Sequence, residues 1–215
     1  MGPRSVLAVA GLLVGLLVAT GATAAAPPWY QDWNGIRKAA ATIKTIETSF
    51  VQTRTLKILK KPLVSRGVMA YRRPNDLRWE YQSPLQTLLV VHGGNVRRLI
   101  KHGTSWVTDS SAKLEAMKVV LGEINLWLDG NFAASRTFRP ELRAADHGQP
   151  AHVDLVPIDP SLAKIISRIA ITFAERPGTV NAIDIFEEGE GVTHIAFEEQ
   201  RFDVAIPDER FEAPR

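Results

Sequence analysis

Apolar and polar residues alternate most cleanly between Gly67 and Pro84, in the run Gly-Val-Met-Ala-Tyr-Arg-Arg-Pro-Asn-Asp-Leu-Arg-Trp-Glu-Tyr-Gln-Ser-Pro. Leu77, Trp79 and Tyr81 fall on one side of a period of two, and Arg78, Glu80 and Gln82 on the other. Met69, Tyr71 and Arg73 share a face by the same rule, so the stretch predicts a hairpin that turns at Pro74-Asn75-Asp76. A three-residue loop pairs Arg73 with Leu77, Tyr71 with Trp79 and Met69 with Tyr81. A four-residue loop sets Tyr71 against Glu80 and mixes the faces, which favours the shorter loop. The hairpin then carries an aromatic face with one cation at its rim.

Around this hairpin the pattern switches between periods. Ile36, Ala39, Ala40, Ile43 and Ile46 follow helical spacing behind the N-cap candidate Asp32, predicting a helix through Thr48. A β-branched, alternating strand follows from Ser49, and Leu63 to Arg72 forms the next. Leu85 to His92 is a dense apolar strand that turns at Gly93-Gly94-Asn95 into Val96 to Lys101, with a short strand at Thr104 to Thr108. From Ser111 to Asp129 the period becomes helical again. Leu114, Met117, Val120, Leu121, Ile124, Trp127 and Leu128 share one face, and Gly130-Asn131 ends the helix. Strands are predicted at Phe132–Phe138, Leu142–Ala145 and His152–Val156, then a helical turn near Ala163 to Ile166. A meander closes the chain at Arg168–Ala174, Val180–Glu187 and Val192–Val204. Many antiparallel strands, few helices and no βαβ rhythm give an α+β fold with a highly curved sheet or open barrel.

The N-terminus is patterned differently. A basic start at Met1 to Arg4, an apolar run from Val6 to Val18 and the small-x-small site Ala22-Thr23-Ala24 read as a secretory signal peptide, residues 1–24. Residues 25–215 are expected to form one domain. The chain has no cysteine, so thiol chemistry and lipid anchoring through a terminal cysteine are excluded and stability falls to a hydrophobic core. The expected location is the periplasm. A formal net charge of +3 is too small to argue for nucleic acid, although basic residues recur at Lys57, Lys60 and Lys61 and at Arg97, Arg98 and Lys101.

Signatures of catalysis are weak throughout. Gly103-Thr104-Ser105-Trp106-Val107 begins like a nucleophile elbow but lacks its closing glycine. Gly189-Glu190-Gly191 resembles half a dinucleotide loop but lies between two strands. His92, His102, His147, His152 and His194 are never at metal-pair spacing, and Asp184, Glu187, Glu188 and Glu190 lack the alternation of a calcium loop. Neither a catalytic residue, a metal nor a cofactor is assigned. The aromatic face of the hairpin admits two readings, core beneath a helix or a binding surface. Arg73, held extended by Pro74, needs carboxylate or carbonyl acceptors or a route to water.

Ser49-Phe50-Val51-Gln52, then Gly67 through Tyr81 with Arg72-Arg73-Pro74 and Leu77-Arg78-Trp79, then Gly93-Gly94-Asn95, resembles the outer-membrane lipoprotein carrier family, LolA. The ending Pro207-Asp208-Glu209-Arg210-Phe211 is similar to that family's as well. The resemblance implies an open, highly curved antiparallel β-sheet, an incomplete barrel, with helices covering its concave apolar face. It implies a monomeric, non-enzymatic carrier of lipoprotein acyl chains between an inner-membrane releasing transporter and an outer-membrane acceptor. It places the arginine that latches the helical lid on Arg73. Cavity-lining candidates are Met69, Tyr71, Leu77, Trp79 and Tyr81 on the sheet, and Met117, Leu121, Ile124, Trp127 and Leu128 on the lid. The chain departs from the family at Leu56 to Leu63, which is unusually basic, and at Val96 to Lys101, which lacks aromatics. A related carrier of another lipid or lipid-linked product, an envelope enzyme active on lipid or sugar, and an envelope scaffold are the alternative readings.

Overall fold

The computed structural model describes residues 29–109, 122–145 and 150–214. The proposed leader, residues 1–24, and the first part of the long predicted helix, with Met117 and Leu121, lie outside them. Within the described residues, eleven strands form one sheet. They are β1 (Thr45–Thr55), β2 (Leu63–Arg72), β3 (Asp76–Ser83), β4 (Thr87–His92), β5 (Asn95–His102), β6 (Ser105–Thr108), β7 (Phe138–Arg143), β8 (His152–Pro157), β9 (Ile166–Phe173), β10 (Val180–Glu187) and β11 (Val192–Phe202). Their spatial order is β6-β5-β4-β3-β2-β1-β11-β10-β9-β8-β7, antiparallel throughout.

The order carries the architecture. Every neighbour is a local hairpin or meander step except one, the pairing of β1 with β11, which joins the two halves at the centre. β6 and β7 are the opposite edges of the sheet. Between them in sequence lies α2, helical residues 122–128. The edge position of β7 explains how it tolerates Pro140 within a ladder.

Two apolar clusters line the covered face. One joins Ile36 of α1 (Trp33–Ala41) to Phe138, Val153, Leu155, Ile169 and Ile171; the other joins Phe50, Met69, Tyr71, Leu77, Val91 and Ile195. Helix α2 bridges them, since Trp127 packs on the first and Ile124 and Leu128 on the second. The opposite face of the N-terminal half has its own cover. Phe211, in the 3-10 turn Asp208–Phe211, packs with Ala70 and Ile206, the Arg72 guanidinium lies 4.8 Å from its ring, and His92 stacks on it.

Several predicted boundaries move. Asp32 does cap α1, its carboxylate accepting from the Gly35 N–H at 2.7 Å, but the helix ends at Ala41 and β1 begins at Thr45. Ile46 satisfies the helical period and the strand period Ile46, Thr48, Phe50 equally; pairing with Tyr71 and Phe202 decides for the strand. The predicted strand Phe132–Phe138 is a 3-10 turn at Phe132–Ala134 followed by β7, because the Ser135 hydroxyl accepts from the Thr137 and Phe138 N–H groups and folds the backbone there. The helical turn expected near Ala163–Ile166 starts earlier, at Pro160–Ala163 (α3), capped by Asp159.

The opening hairpin keeps its faces but not its register. Tyr71 pairs with Leu77, Met69 with Trp79 and Gly67 with Tyr81, two residues away from the expected pairing. The loop has three residues, Arg73-Pro74-Asn75, and closes on Arg72 and Asp76, whose side chains form an ion pair at 2.7 Å. Arg73 therefore leaves the ladder with β3, while its backbone N–H still reaches Lys44 O at 2.9 Å. A shift of two preserves the period of two, which is why the aromatic face survives.

Candidate functional site

Between the sheet and α2 lies an apolar cavity of about 670 Å³. Its floor is built around a glycine. A Cβ on Gly67 would stand 2.4 Å from Phe50 Cζ and 2.2 Å from Glu80 O, so only glycine lets the Phe50 ring lie across β2. Phe50 then packs at 4.9 Å from the Trp79 ring and 5.1 Å edge-on from Tyr81. Trp79 and Tyr81 present their outer surfaces to the cavity, together with Met69, Ile46 and Leu89. The C-terminal half supplies the opposite wall through Ile169 and Ile171, Ile183 and Ile185, and Ile195 and Phe197. From above, Ile124, Trp127 and Leu128 of α2 close it.

Polar groups on the wall are few and mostly satisfied. Tyr81 donates to Gln52 Oε1 at 2.7 Å, and burial raises the Tyr81 phenol pKa. Glu123 on α2 is buried and accepts from the Ser135 hydroxyl at 2.8 Å, while Arg98 pairs with Asp109. A wall of this kind, mostly apolar with a few polar groups, has the shape and chemistry of a ligand pocket.

The turn after β2 holds the cover in place. Arg73 Nε donates to Ile43 O at 2.7 Å and Nη2 to Ala40 O at 3.0 Å, at the C-terminal end of α1. The same guanidinium reaches Leu128 O at 3.3 Å and pairs with the Asp129 carboxylate, at the C-terminal end of α2. Carbonyls at helix C-termini lack intrahelical partners and carry partial negative charge, so one planar cation serves both ends at once. Tyr71 lies beneath this contact and donates to Pro74 O at 3.2 Å. Burial pushes its phenol up to about 12; the neighbouring Asp129 adds to the rise and Arg73 opposes it.

Of the expected lining residues, Met69, Trp79, Tyr81, Ile124, Trp127 and Leu128 are at the cavity wall. Tyr71 and Leu77 are not. Each is 1% exposed and they pair with one another beside the turn, in the core under the Arg73 contact. Met117 and Leu121 lie outside the described residues. The whole C-terminal wall was missed. Its signal is in the sequence, as alternating isoleucines in β9 and β10 and the Ile195-x-Phe197 pair in β11. Reading it requires knowing that β11 lies against β1.

The family description "Outer membrane lipoprotein carrier protein LolA" matches residues 41–214. The chain belongs to the LolA family. Among solved structures, the complex of MucA and MucB from Pseudomonas aeruginosa matches this LolA-family chain with a TM-score of 0.51 at 12% identity, covering 86% of this chain and 61% of that one. A DUF1329 family protein from Desulfovibrio piger gives 0.48 at 12% identity, with 86% and 95% covered. A LolA superfamily protein from Nitrosomonas europaea gives 0.44 at 9%, with 84% and 97% covered. No curated protein matches the chain. The open antiparallel sheet with few helices agrees with that membership. Among the described residues, no helix is long and apolar enough to cross a membrane.

Proposed function

We propose that this LolA-family protein is a periplasmic, non-enzymatic carrier that shields lipoprotein acyl chains in the cavity beneath α2 and moves them from the inner to the outer membrane. The observation that carries the proposal is the apolar cavity of about 670 Å³ walled by both halves of the sheet and covered by a helix. Each exposed CH₂ of an acyl chain costs about 0.8 kcal/mol in water, so crossing an aqueous compartment requires such a shelter. A carrier must also open. Arg73, bonded to the ends of α1 and α2, is the latch we assign, with Met69, Trp79, Tyr81, Ile124, Trp127 and Leu128 as the surface that meets the chains. In this reading residues 1–24 are a cleaved export signal and 25–215 a single domain acting as a monomer, loaded by an inner-membrane releasing transporter and unloaded by an outer-membrane acceptor.

The test is release of a lipoprotein from inner membranes of its own host. With the purified protein added, an acylated outer-membrane lipoprotein is expected to leave the membranes in a soluble 1:1 complex. If the lipoprotein stays membrane-bound while free lipid copurifies with the protein, the cargo is another lipid and the lipoprotein assignment fails.

A further inference from the structure

The strand directions put two very different rims on the sheet. At one end lie the β2–β3 turn with Arg73, the Gly93-Gly94 turn and the Arg176-Pro177-Gly178 turn, all polar or glycine-rich. At the other end lie the β1–β2 loop, the β3–β4 loop, the β10–β11 turn and the segment around α3, as the pairings Thr55 with Val192 and Arg54 with Leu63 require. Eight large hydrophobic side chains stand exposed among the described residues, and seven are on this second rim. Ile58, Leu59, Leu63 and Val64 are on the β1–β2 tip, Leu85 on the β3–β4 loop, and Ile158 and Ile165 flank α3. Ile58 is 88% exposed and Leu85 76%. Water contact on this scale, gathered at one end, marks an interaction surface.

Charge identifies what it meets. Residues 56–64, Leu-Lys-Ile-Leu-Lys-Lys-Pro-Leu-Val, contain three lysines and no acid. Lys57 reaches Glu190 at 2.8 Å across the rim and Arg54 neutralises Glu187, while Lys60 and Lys61 are exposed and form no ion pair among the described residues. The tip projects beyond the neighbouring β3, because β2 pairs with β1 as far as Leu63 but with β3 only from Arg66. An apolar point ringed by lysines matches the boundary between acyl chains and anionic headgroups, where two weak signals together give binding. The cavity wall extends toward the same rim through Thr87, Leu162 and Ile166.

We propose that the β1–β2 tip docks this protein on an anionic lipid bilayer, inserting Ile58 and Leu59 between headgroups that Lys60 and Lys61 contact. The docked molecule stands on the rim opposite Arg73, with that side of the cavity toward the membrane. The proposal rests on the carrier reading only for the purpose of docking, since the surface itself is independent of cargo.

The test is cosedimentation of the protein, purified as the cell processes it, with vesicles of phosphatidylcholine alone or with phosphatidylglycerol added. Binding is expected only with the anionic lipid and falls as salt rises. Ile58→Asn with Leu59→Asn is expected to weaken binding by about tenfold or more, and Lys60→Gln with Lys61→Gln by about 25-fold, near fivefold per lysine. Thermal melting should be unchanged, because these side chains touch water. Absence of binding by the wild type, or wild-type binding by both variants, overturns the proposal. So does loss in both variants of crosslinking to an envelope protein with vesicle binding intact, which assigns the tip to a protein partner. Uptake of an acyl probe in solution without vesicles is measured separately. Its failure overturns the carrier reading and leaves the vesicle result standing.

Discussion

Arg73 joins three segments that are remote in sequence, and its side-chain geometry explains why an arginine is needed. Its guanidinium donates to Ala40 O, Ile43 O and Leu128 O and pairs with Asp129, and it is 27% exposed. A lysine offers a point charge and cannot serve two helix ends in one plane. Losing one charged hydrogen bond costs about 1.5–3 kcal/mol. Arg73→Leu is accordingly expected to lower the melting temperature by about 3–12 °C and to speed uptake of an acyl probe, with Arg73→Lys intermediate in both. Melting curves with stopped-flow uptake read this out; unchanged uptake in a folded Arg73→Leu protein contradicts the latch. The need of Arg73 for acceptors was legible in the sequence, since a cation on an apolar face beside Pro74 must find partners. Its position in the loop was not, because the closing pair Arg72–Asp76 depends on a salt bridge that alternation does not report. The same shift moved Tyr71 and Leu77 from wall to core. Leu77→Trp would therefore overpack the core instead of filling the cavity.

Among the elements, the strands were the most readable. Leu63–Arg72 and Val180–Glu187 have the bounds that their alternation predicts, and the Gly93-Gly94 turn takes positive φ at both residues (55° and 78°), as a tight hairpin demands. The α1–β1 boundary was not readable, because Ile46 fits both periods. The C-terminal segment shows a different gap. Its motif is visible, but its place on the outer face depends on Arg72 and Arg78 pointing away from the cavity. Arg72 donates to Ile206 O at 3.0 Å and pairs with Asp208 at 2.7 Å; Arg78 donates to Glu212 O at 3.2 Å. Asp76, between Arg72 and His92, completes the lock. Burial works against its charge, yet hydrogen bonds from both neighbours outweigh it and hold the carboxyl below its ordinary range. Phe211, 1% exposed, anchors the segment. Phe211→Ala is expected to cost about 3–5 kcal/mol in denaturant unfolding. Acyl-probe affinity of the folded fraction should stay within twofold, because the sheet separates Phe211 from the cavity. A tenfold loss of affinity would show that the two faces are coupled.

At the scale of the molecule, the cavity exists because an eleven-stranded sheet is left open and α2 covers its apolar face. The fold class was readable from the count and spacing of strands. The central β1–β11 pairing was not, since it joins residues about as far apart as the sheet allows, and with it the C-terminal half of the wall escaped notice. Both halves contribute aromatic or aliphatic surface, and two of the chain's five tryptophans, Trp79 on the floor and Trp127 on the cover, face the same space. That arrangement permits a direct measurement. A fatty-acyl chain brominated at mid-length quenches indoles that it touches. Titration is expected to give saturable quenching at one site, reduced by more than half when Trp79 and Trp127 are both replaced by Phe. Quenching that never saturates, or that persists unchanged when both indoles are replaced, would contradict the claim that this cavity holds acyl chains.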